Sequence, residues 1–283
     1  MKKKTLNKEG IVKKLREYCE RYESQNKAAA SLKDVSSATV SQMLNNNWRL
    51  IKDEMWRNVA AQIGYNDAGW NAVSTSNFAD LTYMYKDAQE NSLVMAITGD
   101  AGTGKTFAAK HYAENNRRAH LLRCSEYWNK RQFLAELLKV MGRDFAGGPV
   151  GDMMGEVVSE LKKQENPLLI LDESDKLSDS VLYFFITLYN ELEDECGIVL
   201  QATNHLEKRL RRGIRLNKKG YNEIWSRVGR KCIELKGVSA DDIASICIAN
   251  GVGQPKIVDR IIDDSDSDLR RVKRKIHAAT KSI

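Results

Sequence analysis

Gly99-Asp100-Ala101-Gly102-Thr103-Gly104-Lys105-Thr106 stands directly after an apolar run, Leu93 to Thr98, and directly before a segment of helical period. Glycines at these positions let backbone N–H groups turn inward around phosphates, and the N-terminus of the following helix favours negative charge there. In this pattern Lys105 neutralises the β and γ oxygens of a nucleoside triphosphate, and the Thr106 hydroxyl ligates Mg2+. The stretch therefore predicts strand, phosphate-cradling loop and helix in succession, the start of an α/β domain.

A second apolar strand, Leu168 to Leu171, ends in two carboxylates, Asp172 and Glu173. Asp172 is placed to hold Mg2+ through water and Glu173 to polarise an attacking water, the two tasks that in-line phosphoryl transfer to water requires. Further strands are expected at Ala119 to Arg123, Ile198 to Ala202 and Lys231 to Leu235, separated by segments of helical period such as Val181, Phe184, Phe185, Leu188 and Leu192. Near-continuous apolar strands alternating with helices predict a parallel five-stranded sheet covered on both faces.

Before this core, Ile11, Leu15, Tyr18, Cys19 and Tyr22 follow helical spacing, and Asn26 is the expected cap of a short helix carrying Ala28, Ala29 and Leu32. Ser36 caps the next, with Val40, Met43 and Leu44 inward and Ser37, Thr39 and Gln42 outward; Trp56, Val59, Ala60 and Ile63 define a fourth helix ending at Gly64. Helix, short turn and helix is the helix-turn-helix pattern, whose second helix enters the DNA major groove. The expected boundaries are a helix-turn-helix domain over 1–64, a linker over 65–78, a core over 79–237 and a small helical lid over 238–283, with capping boxes at Ser239 and Ser265.

At 283 residues the chain is long enough for about two domains. It is 42% hydrophobic and 29% charged, with a net charge of +7, as expected of a folded, basic protein. The longest apolar run, Val181 to Ile186, is far below the ~20 residues of a membrane span, and no apolar segment follows Met1-Lys2-Lys3-Lys4. Five scattered cysteines without a CxxC suggest neither a disulfide framework nor zinc and fit a cytoplasmic setting. His111, His120, His205 and His277 lack metal-ligand spacing, and Cys124 and Cys232 read as buried strand residues. The basic excess is local: Lys208, Arg209, Arg211, Arg212, Arg215, Lys218 and Lys219 follow one another without an acid. Such a run suits sequence-independent contact with DNA phosphates. Trp225 and Tyr221 beside it read as packing residues, with stacking on a base or a neighbouring subunit as the alternative.

With its phosphate loop and acidic strand end, the chain resembles the AAA+ ATPases. The resemblance implies that Asn204, after strand Ile198 to Ala202, is sensor 1. It implies that Ser226-Arg227-Val228 carries an arginine finger reaching a neighbouring subunit's ATP, with Arg227 the choice and Arg230 the alternative. Asp268-Leu269-Arg270 resembles sensor 2, Arg270 contacting the γ-phosphate, although Ser267 stands where the family often has Gly. The order helix-turn-helix, linker, ATPase with Leu171-Asp172-Glu173-Ser174-Asp175-Lys176-Leu177, and helical tail is similar to the phage Mu transposition protein B family. That likeness implies an ATP- and Mg2+-dependent homo-oligomer, filament or ring, on double-stranded DNA, which selects target DNA and engages a transposase. Ser37, Thr39 and Gln42 are then candidate DNA contacts, although their helix carries no Lys or Arg. Two other readings stand beside this one, a replication initiator or helicase loader and a nucleotide-switched helix-turn-helix regulator. Glu173 argues against the regulator, since a pure switch needs no water-polarising carboxylate.

Overall fold

A computed structural model describes residues 6–65, 70–143 and 147–281. Met1 to Lys4, which entered the reading of the N-terminus, and residues 66–69 of the expected linker lie outside them. Among the described residues no helix is long and apolar enough to cross a membrane.

The N-terminal bundle comprises α1 (Lys8–Cys19), α2 (Gln25–Ala30), α3 (Ser37–Leu44) and α4 (Asp53–Gln62). Ile11, Leu15, Val40, Met43, Trp56, Val59 and Ile63 are fully buried in it, so the helical spacing read from the sequence is its core. Ser36 caps α3 as expected, accepting from Thr39 N. The α2 cap differs: Ser24, not Asn26, accepts from Lys27 N, because the helix opens one residue before Asn26. Thr39 is also less open than expected, its hydroxyl lying 2.9 Å from that of Ser36.

The expected linker overran its end. α5 (Ser76–Glu90) begins inside it, capped by Thr75, and the residues just before are docked rather than free. Trp70 and Val73 pack into the C-terminal core, and Asn71 Nδ2 donates to Ala249 O.

The central sheet is β1 (Val94–Thr98), β2 (Ala119–Arg123), β3 (Leu168–Asp172), β4 (Gly197–Ala202) and β5 (Ile233–Glu234), all parallel, in the order β2-β3-β4-β1-β5. Side chains alternate between faces with the pleat. Leu169, Leu171, Ile198 and Leu200 pack under α7 (Lys130–Val140), α8 (Val150–Lys162), α9 (Asp179–Leu182) and α10 (Phe184–Leu192). Leu168, Ile170 and Val199 pack under α5 and α6 (Lys105–Asn115). β5 is shorter than expected because it pairs only with Ile97 and Thr98 at the sheet edge.

After β4 come α11 (His205–Arg215) and α12 (Tyr221–Arg227), then the C-terminal helices α13 (Ala240–Ala249), α14 (Pro255–Ser265) and α15 (Leu269–Lys281). Ser239 forms its capping box with Asp242. Ser265 does not: it is the last, buried residue of α14, and its hydroxyl donates to Ile262 O. Asp268 takes the capping role for α15, accepting from Arg270 N at 2.7 Å.

Candidate nucleotide site

In a parallel sheet every strand points the same way, so the loops after the strand C-termini gather at one edge, where such folds place their ligands. The Gly99–Thr106 loop follows β1, Arg123 ends β2, Asp172 ends β3, Asn204 follows β4 and Glu234 ends β5. The register aligns Arg123 with Asp172 and Asp172 with Gln201, setting three polar side chains across adjacent strands.

The loop turns through Gly102 and Gly104 at φ +85° and +94°, backbone states that L side chains rarely adopt. Gly104 opens α6, and Asp100 and Ala101 form the exposed crest. Buried Lys105 folds back into the loop, its Nζ donating to Gly99 O at 2.7 Å, Asp100 O at 2.8 Å and Thr103 Oγ1 at 3.1 Å. Burial lowers its pKa, while the charges of Asp172, Asp100 and Asp175 oppose that and Arg270 adds to it. Arg270 thus comes near Lys105 although it belongs to α15. The connection is direct: Leu269 N donates to Gly102 O at 3.0 Å, and a Cβ at Gly102 would lie 2.2 Å from Asp268 Oδ1. Ser267 adopts φ +55°, a backbone state that glycine takes at less cost.

Asp172, almost wholly buried, accepts from Thr106 Oγ1 at 2.7 Å through Oδ2, and from Gln201 Nε2 at 2.8 Å and Glu173 N at 3.0 Å through Oδ1. A hydroxyl and a carboxylate in contact are hard oxygen donors of the kind Mg2+ takes alongside substrate phosphates, so the donor set fits that ion. Gln201 in turn accepts from the buried Tyr85 hydroxyl of α5, whose pKa is raised by burial and by the Asp172 charge, so that it keeps its proton.

Glu173 has φ +56° and is not free. Arg123 donates to both of its oxygens at 3.2 Å, and Lys176 Nζ at 2.8 Å. Burial raises its pKa, but the two cations outweigh that and hold the carboxyl below its usual range.

Asn204 Nδ2 donates to Glu234 Oε1 at 2.9 Å, while its buried Oδ1 has no partner among the described residues. Neighbouring Thr203 donates to Asp175 Oδ2 at 2.5 Å. Arg227, on α12, donates to Asn190 Oδ1 at 2.8 Å and lies over the Tyr189 ring, 5.2 Å from its centroid. Arg230 is exposed at φ +58° with no ion pair among the described residues.

The basic run forms most of α11. Leu206, Leu210 and Gly213 face the core, and Lys208, Arg211, Arg212, Arg215, Lys218 and Lys219 are exposed. Arg209 departs from the group. Its guanidinium donates to Leu177 O at 2.6 Å, Asp175 O at 3.1 Å and Tyr221 OH at 3.2 Å, and pairs with Asp179 at 2.5 Å, so unlike its neighbours it is tied into the chain. Arg211 pairs with Glu207 and covers Trp225, and Tyr221 is buried, so both aromatics serve packing in the chain. His120 is likewise a core residue, bonded to Gln164.

Residues 88–210 match the AAA domain family model. They span the phosphate loop, Asp172, Glu173 and Asn204, but neither Arg227 nor Arg270. A Lon protease of Mycoplasma mobile is 33% identical over 138 residues, 48% of this chain but 15% of that protein. The crystal structure of Cdc6p from Pyrobaculum aerophilum is similar in fold, with a TM-score of 0.58 at 17% identity, covering 77% of this chain and 65% of that one. The chain thus spans less than two thirds of either relative.

Gln201, Tyr85 and Arg123 were missed from sequence. Gln201 left a signal, as the one polar side chain in the apolar run Ile198-Val199-Leu200-Gln201-Ala202. Arg123 and Tyr85 meet the site only through strand pairing and helix packing.

Proposed function

We propose that this chain binds and hydrolyses ATP between subunits of a homo-oligomer assembled on double-stranded DNA, and that the assembly selects target DNA for a transposase. The observation that carries the reading is the cluster at the sheet edge: a phosphate loop with its lysine buried among loop carbonyls, Thr106 bonded to Asp172, and Glu173 restrained beside them. Lys105 exchanges loop carbonyls for β and γ phosphate oxygens, to which its charge is better matched. Thr106 and Asp172 would hold Mg2+, which supplies charge neutralisation at the β and γ oxygens. Glu173, released from Arg123 and Lys176, accepts a proton from the attacking water, and the unpaired Oδ1 of Asn204 is an acceptor able to orient that water. Arg270 reaches the γ-phosphate from α15, and Arg227 serves a neighbouring subunit's ATP once it leaves Asn190.

The exposed cations of α11 and its following turn supply a sequence-independent phosphate contact. Ser37, Thr39 and Gln42, in a helix without basic residues, make the N-terminal helix-turn-helix a weaker DNA contact than α11. The fold likeness to Cdc6p, extending over 77% of the chain, favours as a second reading a replication initiator, which would engage a helicase rather than a transposase.

The shared site is tested by mixing. Lys105→Ala, lacking ATP binding but retaining the finger, and Arg227→Ala, with the opposite defect, should each be inactive and together recover turnover. No recovery in the mixture, or full activity of Arg227→Ala alone, would remove the arginine from a neighbour's site.

A further inference from the structure

Asp172 has one carboxylate oxygen toward Thr106 and the other toward the interior. How the carboxylate plane is turned toward the phosphate loop depends on what holds the interior oxygen, here Gln201 Nε2 and the backbone N–H of Glu173. Gln201 is fully buried, and its Nε2 donates to Asp172 Oδ1 at 2.8 Å. A glutamine amide can turn over, presenting oxygen instead of N–H to the carboxylate, and that flip would set two acceptors face to face. Tyr85, also fully buried and far away in sequence on α5, donates its hydroxyl to Gln201 Oε1. Asp172, which can only accept, turns Nε2 toward itself, and the Tyr85 hydroxyl reinforces that orientation by donating to the Oε1 it leaves on the other side. The hydroxyl of α5 therefore anchors the amide on β4, and that amide, together with the backbone N–H of Glu173, holds the carboxylate on β3.

We infer that Tyr85 and Gln201 form a buried positioning relay that presents Asp172 to the Mg2+ of the bound nucleotide. The inference rests on the proposed ATP reading and adds two residues that touch neither nucleotide nor metal. Groups standing behind a metal ligand typically change metal affinity about 10- to 100-fold when removed.

The test must separate positioning from stability, because Gln201→Met leaves the Tyr85 hydroxyl buried without an acceptor and destabilises the fold. Adding Tyr85→Phe removes that orphan, and replacing both partners by apolar groups of similar shape is close to neutral for stability. The variants Tyr85→Phe, Gln201→Met and the double are compared with the full-length parent by thermal melting. Each is then titrated with Mg2+ while binding of a fluorescent, slowly hydrolysed ATP analogue is followed, with an EDTA arm for metal-independent binding.

The relay predicts a Mg2+ midpoint raised roughly 10-fold or more in Gln201→Met and in the double variant. In Tyr85→Phe, where Gln201 Oε1 loses its donor but Asp172 still holds Nε2, it rises about threefold. Metal-independent binding stays parental, and the double variant regains the part of the melting temperature that Gln201→Met loses through the orphaned Tyr85 hydroxyl. A midpoint that returns to the parental value along with the melting temperature, or that never moves, overturns the relay. If Gln201→Met fails to fold, the double variant decides alone. A parent that binds no analogue overturns the nucleotide reading and the relay with it, whereas parental binding with unmoved midpoints overturns the relay only.

Discussion

Arg123→Ala should raise the basal ATP turnover of the protein in the absence of DNA. Arg123 meets both oxygens of Glu173 at 3.2 Å, its side chain 62% exposed and that of Glu173 21% exposed. A paired, charge-assisted contact is worth up to ~3 kcal/mol when shielded, but solvent screening at this exposure leaves ~1 kcal/mol. If freeing Glu173 is part of reaching the transition state, that is about fivefold in rate. Lys176, at 2.8 Å, still restrains the carboxylate, so the gain stops there. The pH profile supplies an independent sign. Arg123 helps hold the Glu173 carboxyl below its usual range, and removing it raises that pKa. Glu173 must be ionised to accept a proton, so the acid-side fall in turnover begins at higher pH in the variant. The assay is steady-state phosphate release without DNA across an acid-to-neutral pH series. Turnover at or below the parental rate together with an unmoved acid limb would refute the view that this ion pair restrains the catalytic carboxylate.

Arg209→Met should lower stability by ~2–4 kcal/mol through loss of its ties to Asp179 and the Asp175 and Leu177 carbonyls, read as a chemical denaturation midpoint. Arg212→Ala and Arg215→Ala should leave that midpoint in place, each reducing the log–log salt slope of DNA binding by ~1, as expected of single phosphate contacts. Ser267→Gly relieves a left-handed residue next to the loop that α15 contacts and should stabilise the protein by ~1 kcal/mol, visible as a higher melting temperature. Trp56→Ala, at the fully buried centre of the N-terminal bundle, should cost that bundle ~3–5 kcal/mol. Hydrogen exchange should then quicken across α1 to α4 while protection of β1, β3 and β4 persists.

The site was legible where its chemistry is local in sequence. The loop from Gly99 to Thr106 and the strand end at Asp172 and Glu173 each need only neighbouring residues, and four of the five strands appear within a residue of where their apolar runs place them. What escaped depends on packing between distant segments. Arg123 and Gln201 reach Asp172 because β2, β3 and β4 pair in one register, and Tyr85 because α5 lies against that sheet. The half-buried setting of Arg209 was hidden for a different reason. A run of like charges reads as solvated, yet Leu206, Leu210 and Gly213 set the buried face of α11 and Arg209 flanks it, so helical periodicity would have singled it out. The linker was misplaced because its composition is polar, whereas Trp70 and Val73 within it anchor the chain on the C-terminal helices.

The central claim, ATP-driven assembly on DNA, is tested most directly by negative-stain imaging of the protein with random-sequence duplex DNA under ATP, a slowly hydrolysed analogue, ADP and no nucleotide. The account predicts regular assemblies along the DNA with ATP or the analogue, and persistent ones with ATP when Glu173→Gln is used. Dispersed particles under all four conditions, or assemblies indifferent to nucleotide, would contradict it.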